Sequence, residues 1–170
     1  MSTKKSMWII EGVLVILAWT LGSAIQGRAE TMNYKSYSYV LKSEDVPVGD
    51  VEGHTVGLVM RRAFYVFENG EVATASLVAT GDFIKLGGPF MNYNTITFAD
   101  GSIIIIKSQG TIGGSFTSGG FTSEIIKGTG RFAGSKGTLT AKIKYLPLEK
   151  GEAGPKGIGE GTLNYTLPSK

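Results

Sequence analysis

Between residues 128 and 137 the chain reads GTGRFAGSKG, and strand-like runs flank it on both sides. Glycine accepts positive φ and close backbone approach, so this stretch can turn the chain sharply without steric strain. Ile125 and Ile126 precede it, and residues 139–145 alternate with period two. Such a corner belongs to a curved antiparallel sheet, and it directs the chain towards a small β-barrel.

Alternation, β-branched content and turn residues mark eight strands, at about 34–42, 55–67, 71–83, 91–98, 102–112, 121–128, 136–146 and 158–167. Asn69-Gly70 and Asp100-Gly101 each sit between apolar runs, where they fit the left-handed angles of a tight hairpin. Two hairpins so close together specify an antiparallel meander, and eight strands can remove their edges by closing. The expected fold is an all-β, eight-stranded antiparallel barrel over residues 30–170. The apolar run of residues 103–106 predicts a strand covered on both faces, either by a well-packed sheet or by a second copy of the chain. Residues 149–157, EKGEAGPKG, read as a loop before the last strand. With no cysteine among 170 residues, disulfides, thiolate metal sites and a cysteine nucleophile are excluded.

Residues 1–29 read as a signal peptide: Lys4 and Lys5 lead an apolar stretch, and Gly27-Arg28-Ala29 offers a cleavage site before Glu30. Glu11 interrupts the apolar run, so an uncleaved anchor over residues 7–25 is the alternative. Cleavage implies an exported protein, periplasmic or secreted, with membrane contact only if the segment is retained. Loss of the leader removes Lys4, Lys5, Arg28 and Glu11 and lowers the net charge from +3 to +1. That balance gives no phosphate-tracking surface, so nucleic acid is not an expected partner.

The C-terminal third, GTGRFAGSKGTLTAKIKY followed by GEGTLNYTL, resembles the allene oxide cyclases and the wider barrel superfamily that includes the dirigent proteins. There a GxGxFxGxxG turn joins two strands. Upstream, Tyr37-Ser38-Tyr39-Val40 is similar to their first strand, Pro47 to a following proline, and Gly49-Asp50 with Thr55 and Leu58 to their next segment. The resemblance covers most of residues 34–167 and implies the barrel and an apolar lumen. The cyclases' carboxylate and two asparagines fall at Ser38, Val40 and Val56, and a tyrosine falls near Ser118. These residues cannot supply that acid–base chemistry, so the cyclase reaction itself is not expected.

Several side chains are candidates for a ligand site. Arg61 and Arg62 are adjacent in a strand, so one faces the lumen and the other faces out. A lumenal arginine could receive a carboxylate-bearing ligand; a rim arginine would pair with Glu71 or Asp82. Asn92 and Asn94 share one strand face, opposite Tyr93, and would direct hydrogen bonds if that face is lumenal. Glu124 is either a buried carboxylate or an outward one. His54, the only histidine, is either a general base beside acidic residues or a solvated loop residue before a strand. Glu44, Asp45, Asp50 and Glu52 form an acidic stretch around Pro47 that matches no calcium loop. No metal or cofactor is expected.

A barrel of eight strands is just wide enough to be filled by side chains or to hold one small ligand. The expected role is to bind a small hydrophobic ligand, with a cofactor-free isomerisation or cyclisation implied by the resemblance if chemistry occurs. The alternatives are a non-catalytic carrier and a structural envelope protein that forms homo-oligomers through a sheet face.

Overall fold

A computed structural model describes residues 28–114 and 117–169. The expected leader lies outside them except for Arg28 and Ala29, which are the first residues of the first strand. Eight strands follow in order: β1 Arg28–Pro47, β2 His54–Phe67, β3 Val72–Ile84, β4 Gly88–Phe98, β5 Ile103–Ile112, β6 Ser118–Gly128, β7 Lys136–Tyr145 and β8 Gly157–Leu167. Each pairs antiparallel with its sequence neighbour, and β1 also pairs with β8, closing the barrel.

Both hairpins form where expected, with Gly70 and Gly101 at positive φ. The GTGRFAG corner holds one turn of 3-10 helix, Gly130–Phe132, between β6 and β7. Gly130 has φ +58°, and a side chain there would collide with Ser102. Three strands are longer than their sequence pattern suggested. β1 extends at both ends because it serves two neighbours, β8 over residues 28–38 and β2 over residues 34–47, with a register shift between Val40 and Lys42. β4 starts at Gly88-Pro89 and β6 at Ser118-Gly119-Gly120, residues that read as loop by composition.

Inward side chains divide the lumen into two halves. One end is filled by Tyr34, Tyr65, Phe67, Ile96, Phe98, Phe132, Leu139 and Leu163, all buried. Its rings form a continuous chain: Phe67 lies 5.4 Å from Phe98, Phe98 4.7 Å from Phe132, and Phe132 5.4 Å from Tyr165. Towards the other end the inward positions shrink to Ser36, Ser38, Ala63, Ala79 and Ala141, and the lumen opens. In residues 103–106 the pattern alternates: Ile104 and Ile106 are fully buried, while Ile103 and Ile105 face out half-buried.

Candidate functional site

The open half contains an inner chamber of about 80 Å³, walled mainly by Val59, Ala63, Leu77, Phe83, Phe90, Phe121 and Ile143. It shares Val59, Arg61, Phe83 and Tyr145 with a mouth of about 450 Å³. Leu86, from the β3–β4 turn, and Leu146, Pro147, Leu148 and Pro155, from the β7–β8 connection, frame that mouth. Hollows of about 590 and 650 Å³ elsewhere involve many charged and polar residues, among them Lys35, Glu68, Lys142 and Glu160 in one and Glu30, Glu71 and Arg131 in the other. The inner chamber is smaller but enclosed and apolar, so it is the one that can strip water from a ligand.

Arg61 is the lumenal member of the arginine pair. Its Nη2 donates to Ser38 Oγ at 3.2 Å and to the Pro155 carbonyl at 2.8 Å, and its guanidinium lies 5.6 Å from the Tyr145 ring centre. Nε and Nη1 have no hydrogen-bond partner among the described residues. Burial pulls the guanidinium below its ordinary pKa, and arginine remains cationic all the same. Among the described residues it has no salt bridge. The expected rim partners are engaged elsewhere: Glu71 pairs with Arg131, and Asp82 holds His54. Arg62 faces outward and bonds Ser76.

The floor of the chamber is polar. Asn92 and Asn94 point inward, 5% and 1% exposed, while Tyr93 faces solvent. Asn94 Nδ2 donates to the Tyr65 hydroxyl oxygen at 2.8 Å. Burial pushes the Tyr65 hydroxyl up to about pKa 12, so it keeps its proton at neutral pH. Ser108 and Ser123 satisfy each other at 2.7 Å across β5 and β6. The Oδ1 atoms of Asn92 and Asn94 are buried without a hydrogen-bond partner among the described residues.

His54 is the first residue of β2 and not a loop residue. Its Nδ1 lies 2.5 Å from Asp50 and its Nε2 2.7 Å from Asp82, and its side chain is only 14% exposed. Hydrogen bonds to Asp82 and then Asp50 raise its pKa, and the bond to His54 lowers that of Asp50. This is a clamp on the rim joining the β1–β2 loop to β3. Glu44, Asp45 and Pro47 also differ from the expected acidic loop: all three lie in β1, paired to Leu58, Gly57 and Thr55. Pro47 sits at the strand's last position, where a missing N–H is tolerated. Glu124 faces outward and is exposed, beside Lys107 in a surface hollow, so it is not a buried carboxylate.

The structure therefore brings Arg61 and Asn92 into one chamber, places Asn94 beneath it, and leaves Arg62, Glu124 and His54 outside, His54 on the outer rim of the barrel. From sequence, Tyr65 and Tyr145 stand only among many aromatics that either pack the core or set hydroxyls at a pocket mouth, and Ser38 only at the cyclases' carboxylate position; none of the three is singled out as a chamber residue. The signal for Tyr65 was present, since Arg61, Ala63 and Tyr65 share one face of β2. Among the described residues no three His, Cys, Asp or Glu side chains are placed to hold a metal ion.

No family model matches the chain, and no curated protein matches it in sequence. Solved structures share its fold, two dirigent proteins among them. The pterocarpan synthase dirigent protein PsPTS1 superposes with a TM-score of 0.56 at 18% identity, covering 85% of this chain and 99% of that one. The pterocarpan synthase dirigent protein GePTS1 gives 0.55 at 18% identity, covering 88% and 95%. The chain thus shares the barrel fold of these two dirigent proteins.

Proposed function

We propose that the open half of this dirigent-type barrel receives a small apolar ligand bearing an acidic group, anchored by Arg61. The observation that carries this reading is a half-buried guanidinium that forms no salt bridge among the described residues, not even with Asp45 of the same mouth, and that lines an enclosed apolar chamber. A cation partly withdrawn from water, with only the neutral Ser38 and Pro155 oxygens as hydrogen-bond partners, gains from an anionic ligand. The likeness to two pterocarpan synthase dirigent proteins supports a ligand-holding lumen through shared fold alone. If the ligand is transformed, the reaction is a cofactor-free isomerisation or cyclisation in which the walls hold one folded shape and exclude water. A carrier would use the same chamber without turnover. The basic, then apolar, N-terminus favours action outside the cytoplasm, as an exported protein.

Native mass spectrometry of the protein purified from its own envelope tests this reading. A bound small molecule is expected in the unaltered chain, and Arg61→Ala should release it while the protein stays folded. An empty unaltered barrel would overturn the reading. A ligand equally retained by the variant would remove Arg61 as the anchor.

A second reading, assembly through a sheet face, is favoured by exposed Tyr37, Met60, Phe64, Val78 and Tyr93 on the outer surface of β1–β4.

A further inference from the structure

The Tyr65 hydroxyl accepts a hydrogen bond from Asn94 Nδ2 at 2.8 Å, and no acceptor among the described residues takes its own proton. Tyr65 is 3% exposed, and it lines the chamber together with Asn92. Asn92 in turn is 5% exposed, and its Oδ1 is buried without a partner. Buried polar groups are ordinarily satisfied, so the unused Tyr65 donor marks a place for a ligand acceptor oxygen, and the unmatched Asn92 Oδ1 beside it a place for a ligand donor such as a phenol O–H.

We infer that this floor is a second polar subsite, in which the Tyr65 hydroxyl donates to an oxygen acceptor of the ligand. Asn94 is the positioning residue: by occupying the hydroxyl's lone pair it turns the proton away from itself. The inference rests on the lumen reading above and adds the ligand's other end. Arg61 and Tyr65 lie on the same face of β2, four residues apart, or about 13 Å along the strand. The matching ligand class is an elongated apolar acid that carries a carbonyl, ether or phenol oxygen at the end remote from its carboxylate.

The test uses N-phenyl-1-naphthylamine, a neutral fluorescent probe, to report the lumen. Two acids then compete for it: 3-phenylpropanoic acid and 3-(4-acetylphenyl)propanoic acid, which adds a remote carbonyl. The keto acid should displace the probe at about fivefold to tenfold lower concentration, the size of one neutral hydrogen bond. Tyr65→Phe keeps the ring and should abolish that preference without changing displacement by the parent acid. Should Tyr65→Phe not fold, Asn94→Leu gives the second test, since it frees the hydroxyl and should reduce the preference. Equal displacement by both acids, or a preference that survives the variants, would overturn the subsite. So would displacement by neither acid while the probe binds, and in that case the apolar lumen stands. Failure of the probe itself to bind would overturn the lumen reading and this inference with it.

Discussion

His54 is bonded by carboxylates from two elements, and only the imidazolium can donate from both ring nitrogens. The charges that meet it are Asp50 from the β1–β2 loop and Asp82 from β3, while Glu52 belongs to the same loop and Lys85 follows β3, its backbone N–H bonding the Gly53 carbonyl at 3.0 Å. Because these bonds raise the histidine above its ordinary 6.5, the clamp's contribution is complete below that value. It fades as pH climbs through the raised value. Asp50 works in the opposite sense: its contribution holds above its ordinary 3.8 and is lost as pH falls through its lowered value. The melting temperature should therefore fall as pH rises from about 6 to about 9, and His54→Gln should flatten that slope. Differential scanning fluorimetry across that range checks it; a flat profile for the unaltered protein would remove the clamp. The sequence showed a histidine among acids but could not pair them, since Asp82 lies 28 residues away and meets it only through the β2–β3 register. Arg61 and Arg62 posed a similar difficulty. Strand period sets them on opposite faces, yet Phe64 and Val66 outside are as apolar as Ala63, Tyr65 and Phe67 inside, so the phase was hidden.

Among the elements, the turn between β6 and β7 was the most legible, because its glycines have geometric causes. Gly130 at φ +58° abuts Ser102, which also accepts from the Arg131 N–H at 3.2 Å. Gly130→Ala should cost about 1–3 kcal/mol through left-handed backbone strain and crowding, read as a shift in the urea midpoint at constant slope. The turn also delivers Phe132, 1% exposed, between Phe98 and Tyr165. Phe132→Ala should cost about 3–5 kcal/mol and loosen the packed end first. Hydrogen exchange should then rise at Phe98 and Leu163 before it rises at the mouth; a uniform rise would show that the two halves do not differ in rigidity. The starts of β4 and β6 escaped sequence reading for a related reason. Gly88, Gly119 and Gly120 are strand residues whose composition signals a loop, and only their pairing to β5 reveals them.

At the scale of the whole molecule, a barrel needs one apolar face per strand, and here β1–β4 carry two. Tyr37 lies opposite Phe64, and Val78 lies between Met60 and Tyr93, so outward apolar residues pair across four strands, with the Arg62–Ser76 contact between the two groups. On the far side β7 and β8 present Lys142, Lys144, Glu160 and Thr162, an ordinary solvated surface. Apolar residues spread over four strands exceed what scattered surface positions produce, and the assembly reading proposed above would cover them with a second copy of the same face. The half-buried Ile103 and Ile105, singled out by their run in sequence, are poorer candidates because they are already partly covered. Light scattering coupled to size exclusion should therefore report a multiple of the chain mass. Phe64→Lys with Val78→Lys should convert it to a monomer, whereas Ile103→Lys should leave it assembled. All of these substitutions point away from the lumen, so displacement of the neutral probe should be the same in each variant. A loss of probe binding on dissociation would instead mean that assembly shapes the chamber, and that the outer face and the lumen are one functional unit.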